Sequence, residues 1–265
     1  MSAPSVAEKI AAGRASGQGT VVGYLPLGFP DLPTSVEAAV ALADEGFDVL
    51  ELGIPYSDPV MDGPVISRAT HRALDGGFKL KDLFPALKEI TDRVDIPVLV
   101  MTYWNPVVQY GVERFTKDLL AAGSKGLITP DLIPDEAEEW MALSDALGAE
   151  RVFLAAPSSS DERLRRAIDV SRGFVYAVST MGITGARDDV DQAAKTLVAR
   201  LRDQGADSVC VGLGISTGEQ VQEVLSYADG AIIGSALVRA LDDGGLDALR
   251  AVASGLTRPT ELHAR

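Results

Sequence analysis

The sequence holds a single cysteine, Cys210, and two histidines, His71 and His263. A lone cysteine cannot close an internal disulfide, and in the apolar run Val209-Cys210-Val211 it reads as a small buried hydrophobe rather than a nucleophile. The histidines form no ligand cluster with the spacing of a catalytic zinc site, and both read as surface residues. Lysine is also scarce. Lys9, Lys79, Lys81, Lys88, Lys117, Lys125 and Lys195 all fall outside the interiors of the expected strands, so a Schiff-base mechanism has no evident nucleophile. No apolar run is long enough to span a bilayer. The opening Met1-Ser2-Ala3-Pro4 lacks the basic and apolar regions of a signal peptide, so the expectation is a cytoplasmic protein. Positive charge is in deficit, with 24 Lys and Arg against 38 Asp and Glu and a net charge of -14. That balance argues against nucleic acid and anionic membrane surfaces as partners.

What is present is ordinary globular material, 265 residues of which 46% are hydrophobic and 23% charged. Short β-rich runs alternate with amphipathic helical runs. Eight strands are expected, at residues 20–27, 49–54, 97–103, 126–129, 151–156, 174–179, 208–212 and 230–233. Helical patterns occupy 5–16, 35–45, 66–74, 81–94, 112–122, 136–147, 162–171, 190–204, 218–227 and 245–254. Gly46, Gly123, Gly148 and Gly205 follow helical runs, where a left-handed residue ends a helix. Strand–helix alternation argues for a parallel sheet, and eight such units in this length argue for closure. The expected fold is therefore a single α/β domain over 1–265, a (β/α)8 TIM barrel. It carries an extra helix before the first strand and further helices after the second and eighth. An open doubly wound sheet would favour a glycine fingerprint after the first strand. The sequence there is Pro26-Leu27-Gly28-Phe29-Pro30-Asp31.

Two acids stand out. Glu51 lies between Leu50 and Leu52 in an apolar strand and shares a face with Val49 and Gly53. A carboxylate is costly on either face of a barrel strand, and an isolated buried acid has a raised pKa suited to acid–base work. A structural Glu paired to a buried Arg or a backbone donor is the alternative. Asp62 follows in the next loop, at the barrel end where active sites lie. Alone, Asp62-Gly63 reads as a turn; with Glu51 at the same mouth, two acids converge on one substrate.

Glycines cluster after the late strands: Gly182-Ile183-Thr184-Gly185, Gly212-Leu213-Gly214-Ile215-Ser216 and Gly234-Ser235-Ala236, the last opening a short helix. Barrel enzymes hold phosphate there with backbone amides and a helix N-terminus, which needs no lysine and so fits an acidic chain. The plainer reading is three tight turns. Tyr24, Met101, Tyr103, Ile128 and Tyr176 lie near strand ends and can line a flat apolar pocket.

The run Leu50-Glu51-Leu52-Gly53-Ile54-Pro55-Tyr56-Ser57-Asp58-Pro59-Val60-Met61-Asp62-Gly63-Pro64 resembles the signature of the tryptophan synthase α subunit family. Thr184-Gly185, Gly212-Leu213-Gly214-Ile215 and Gly234-Ser235 are similar as well, so the resemblance spans residues 24–241 in order. It implies retro-aldol cleavage of indole-3-glycerol phosphate to indole and glyceraldehyde 3-phosphate. Glu51 would be the acid–base residue and Asp62 the partner of the indole N–H. Tyr24, Ile66, Tyr103 and Tyr176 would line the substrate pocket. Gly185, Gly214, Gly234 and Ser235 would cradle phosphate, Gly212 would also bind substrate, and Thr184 would meet Asp62 on closure. It further implies a β-subunit partner in an αββα complex, faced by Pro55, Asp58 and Asn105. No cofactor is expected in this chain; pyridoxal phosphate is expected in the partner. Thr180 stands where many relatives have arginine, and Phe29 where an acid is frequent. Three other functions compete: another phosphate-binding barrel enzyme, such as a sugar-phosphate isomerase, a non-catalytic barrel that activates its partner, and a stand-alone indole lyase.

Overall fold

The structure, a computed structural model, describes residues 3–178, 187–212 and 214–257. Nine strands form one parallel sheet: β1 (Thr20–Pro26), β2 (Val49–Gly53), β3 (Val98–Met101), β4 (Gly126–Ile128), β5 (Glu150–Val152), β6 (Leu154–Ala155), β7 (Val175–Val178), β8 (Val209–Gly212) and β9 (Gly230–Ile233). Their order is β5-β4-β3-β2-β1-β9-β8-β7-β6. The two ends of that order, β5 and β6, are halves of one extended segment interrupted at Phe153. β5 pairs with β4 and β6 with β7, so the segment changes partner midway and the sheet curls on itself. This is the TIM barrel, with the fifth expected strand divided in two.

Side chains alternate along each strand, so every second residue points inward. One inward layer consists of Val22, Val49, Leu99, Ile128, Val152, Phe174, Cys210 and Ile232, all buried together. Cys210 is thus a packed core residue. Val6 and Ile10 of α1 (Val6–Ser16) belong to the same cluster and close the lower end of the barrel. Each is fully buried, worth roughly 1.5–3 kcal/mol apiece. The start of α1 is fixed twice. Ser5 and Glu8 form a capping box, and Glu150 accepts the Val6 and Ala7 amides at 2.9 and 3.0 Å. At its end Arg14 bonds Asp229, 3.0 Å away.

A second, larger core lies between the sheet and the surrounding helices. These are α2 (Leu32–Asp44), α3 (Pro64–Asp75), α4 (Leu83–Thr91), α5 (Trp104–Tyr110), α6 (Val112–Ala121), α7 (Glu138–Leu147), α8 (Asp161–Val170), α9 (Arg187–Asp203), α10 (Gly218–Leu225) and α11 (Ser235–Thr257). The helix-ending glycines behave as expected: Gly46, Gly123, Gly148 and Gly205 have φ of 90, 90, 70 and 93°. α11 breaks at Gly244 and Gly245, leaving the two helices expected after the last strand.

One expectation needs correction. The run 97–103 is not a strand throughout, because β3 stops at Met101 and Tyr103 is the N-cap of α5, a helix missing from the sequence reading. The helix starts where Asp131 accepts the Trp104 amide at 2.9 Å, and Pro106 is tolerated because it falls in the first turn.

Candidate active site

The next inward layer toward the strand C-termini builds a cavity of about 730 Å³. Its wall residues stand two positions beyond the buried layer: Tyr24 after Val22, Glu51 after Val49, Met101 after Leu99, Pro130 after Ile128, Leu154 after Val152, Tyr176 after Phe174, Gly212 after Cys210 and Gly234 after Ile232. Ile66, at the start of α3, and the loop residues Met61 and Asp62 add the rim, together with Gly214 and Ser235. Strand period alone therefore places most of the site. Met61, Pro130, Leu154 and Val178 were not singled out from sequence, although counting two residues onward would have found Pro130 and Leu154.

Two glycines give the layer its shape. An added Cβ on Gly53 would stand 2.4 Å from the Tyr24 hydroxyl, and one on Gly212 would stand 2.6 Å from the Tyr176 hydroxyl. Each tyrosine ring thus reaches into the space of an absent side chain.

Glu51 is paired in register with Tyr24 and is 1% exposed. Its Oε2 has no hydrogen-bond partner among the described residues. Burial alone pushes its pKa from 4.5 up to about 8. Glu51 is consequently a neutral acid at pH 7, able to give a proton to a bound molecule and take one back. Among the described residues no cation supports the alternative of a structural ion pair: the lysines are all at least partly exposed, and the buried guanidinium of Arg151 is committed to Asp145, Ser144 and the Val170 carbonyl.

Asp62 is half-buried in the loop after β2. Burial raises its pKa, and a hydrogen bond from Tyr103 opposes that rise. The Tyr103 hydroxyl donates to Asp62 Oδ1 at 3.0 Å and accepts the Met61 amide at 2.9 Å. Tyr103 is 4% exposed and stands behind Asp62 rather than in the cavity wall. Tyr24, Ile66 and Tyr176, by contrast, line the cavity.

The glycine side of the cavity combines Gly212, Gly214 with φ 65°, Gly234 and Ser235 at the start of α11. The arrangement offers backbone amides and a helix N-terminus on one side, and two carboxyl groups elsewhere in the same wall. Thr184 and Gly185, like Thr180, lie outside the described residues. Among the residues expected to face a partner, Asp58 and Asn105 are exposed and Pro55 is buried within the chain. The exposed apolar side chains Val60, Val108 and Ile133 follow β2, β3 and β4, at the same end of the barrel. No helix among the described residues is long and apolar enough to cross a membrane.

Comparison with known proteins extends this picture. The family model described as tryptophan synthase alpha chain matches residues 10–263. The tryptophan synthase alpha chain of Leifsonia xyli subsp. xyli is 65% identical over 253 residues, covering 96% of this chain and 97% of that one. That of Mycobacterium tuberculosis is 52% identical over 249 residues, covering 94% and 92%. Among solved structures, a chain of Mycobacterium tuberculosis tryptophan synthase matches with TM-score 0.90 and 50% identity, over 96% of this chain and 97% of that one. The tryptophan synthase A-subunit of Pyrococcus furiosus matches with TM-score 0.83 and 36% identity, over 90% and 97%.

Proposed function

The chain belongs to the tryptophan synthase alpha chain family, and we propose that it cleaves indole-3-glycerol phosphate with Glu51 and Asp62 as its working acids. The observation that carries this assignment is the buried carboxyl of Glu51, whose Oε2 has no partner among the described residues, in the wall of a cavity that Asp62 also lines.

The chemistry follows from the two environments. Protonated Glu51 gives its proton to indole C3, and the ring nitrogen takes on positive charge. Asp62, ionised, accepts the indole N–H and stabilises that charge. The Glu51 carboxylate then removes the proton from the adjacent glycerol hydroxyl. The carbon–carbon bond breaks, its electrons return to the indole ring, and the hydroxyl carbon becomes the aldehyde of glyceraldehyde 3-phosphate. Glu51 ends protonated, so the cycle closes without a net proton. The amides near Gly212, Gly214, Gly234 and Ser235 hold the phosphate, which suits a chain with net charge -14. Tyr24, Ile66 and Tyr176 pack the indole, and the family resemblance assigns Gly185 to the phosphate and Thr184 to Asp62.

As a tryptophan synthase alpha chain, the protein has a β-subunit partner. We place Asp58 and Asn105 toward it, with Pro55 beneath them, in an αββα assembly whose pyridoxal phosphate belongs to the β subunit. Exposed Val60 and Val108 beside these positions support that orientation. The test is to mix the purified chain with indole-3-glycerol phosphate, with and without a β subunit, and to measure indole. Indole release that rises with the partner is expected. No indole under either condition would overturn the assignment, and release indifferent to a cognate partner would favour a stand-alone lyase.

A further inference from the structure

We propose that Tyr103 is a positioning residue for the reaction, holding Asp62 through its hydroxyl at the head of a brace that joins the loops after β2, β3 and β4. The proposal rests on the reading of Asp62 as a working acid. It differs from a pocket-wall role, because Tyr103 is absent from the residues that line the cavity.

The brace is read contact by contact. Asp131, in the loop after β4, accepts the Trp104 amide and so fixes the first turn of α5. Tyr103 is the N-cap of that helix, and its carbonyl accepts the Thr102 hydroxyl at 3.0 Å. The Tyr103 ring stacks on Tyr56 from the loop after β2, with centroids 5.2 Å apart and planes 29° from parallel. The Tyr56 hydroxyl in turn accepts from Asn105 Nδ2 at 3.3 Å, which ties that loop to α5 a second time. These contacts leave the Tyr103 hydroxyl one orientation. The Met61 amide occupies it as an acceptor, so its proton is directed at Asp62 Oδ1. A neutral donor aimed at a carboxylate favours the ionised form.

Tyr103 at the N-cap of α5 and Tyr24 of β1 act on Asp62; Glu51 of β2 and Tyr176 of β7 line the same cavity, and Asp131 acts on Tyr103. None of these is a cation, so the Tyr103 hydroxyl opposes the effect of burial on Asp62. The hydroxyl thus fixes the direction of the Asp62 carboxyl and favours its ionised form against the effect of burial.

The experiment compares native protein and Tyr103→Phe, which keeps the ring and its stack while deleting the hydroxyl. Titration of the Asp62 carboxyl by carbon-13 NMR, in the chain without substrate, reads the contact directly. The Asp62 midpoint should rise by about one pH unit, the scale of one donor lost from a carboxylate. The acid limb of kcat/KM for indole release should move up by the same amount, with kcat falling about tenfold and KM changing less than about threefold. In an Asp62→Asn background, Tyr103→Phe should alter the residual rate by less than about twofold, because its target has gone. An unmoved Asp62 titration overturns the proposal. So does an equal effect of Tyr103→Phe in both backgrounds, which is what a pocket wall would give. If Asp62→Asn keeps native turnover, the reading of Asp62 fails and a positioning role in catalysis falls with it, whatever the titration shows.

Discussion

Replacing Glu51 by glutamine should sharply reduce turnover and stabilise the fold, and the stabilisation should depend on pH. In the unfolded chain the carboxyl ionises near 4.5, whereas in the barrel it stays neutral up to about 8. Between those values the unfolded state releases a proton that the folded state keeps, so native stability declines as pH rises through this window. At pH 7 the gap from the ordinary value is about 2.5 pH units, or about 3 kcal/mol at 1.36 kcal/mol per unit. Above pH 8 the penalty levels off at about 5 kcal/mol. Glutamine has the same shape and no charge to lose. The stability difference between Glu51→Gln and native protein should be near zero at pH 4.5, grow to about 3 kcal/mol in favour of the variant at pH 7, and flatten above pH 8. For a chain of this size that is a gain of roughly 6–12 °C in Tm at pH 7. Calorimetry of both proteins across pH measures it, and taking the difference cancels every other titrating group. Indole release should fall by at least ~100-fold in the same variant. A stability difference that is flat with pH would refute the neutral buried acid, and retained turnover would refute its role.

Three further outcomes follow from the packing. Gly234→Asp puts a carboxylate in the glycine side of the cavity and should raise the KM for indole-3-glycerol phosphate at least tenfold with the fold intact by circular dichroism; an unchanged KM would remove phosphate from that loop. Gly53→Ala places a methyl group 2.4 Å from the Tyr24 hydroxyl, so Tyr24 must tilt, costing about 1–3 kcal/mol and shrinking the cavity beside Glu51. Denaturation midpoints and indole kinetics should both register it, whereas a silent substitution would mean that the tyrosine is not closely held. Ile10→Ala empties a fully buried position under the barrel and should cost about 2–5 kcal/mol by urea denaturation, with KM little changed.

The parts of the site legible in the sequence are those that follow strand period. Glu51 was conspicuous because a carboxylate interrupted an apolar run, and the glycines after β8 and β9 because three clusters recurred at equivalent places. Tyr103 was legible as a residue near the mouth but not in its orientation. The run 97–103 is apolar enough to read as strand to its end, and the seven residues of α5 are too few to show a helical period. What turns the chain there is Asp131, 27 residues away in sequence, and that contact leaves no local signal. The break at Phe153 escaped for a similar reason: it reflects a change of pairing partner, which belongs to the closed sheet rather than to the segment. Lateral relations between strands, such as a tyrosine reaching into the space over a neighbouring glycine, also need the register before they can be seen.

The lower seal of the barrel has a consequence for the order of assembly. Val6 and Ile10 need a finished inward layer to rest on, and α1 is anchored by Glu150 across 144 residues and by Asp229 across 215. Neither anchor exists while the ribosome is making the first half of the chain, and contacts of such separation form slowly because a large loop must close first. α1 emerges before the late strands and is thus left without its resting place until they arrive. Docking of α1, followed by a fluorophore on an exposed position such as Ala11, would then report closure of the barrel rather than its beginning.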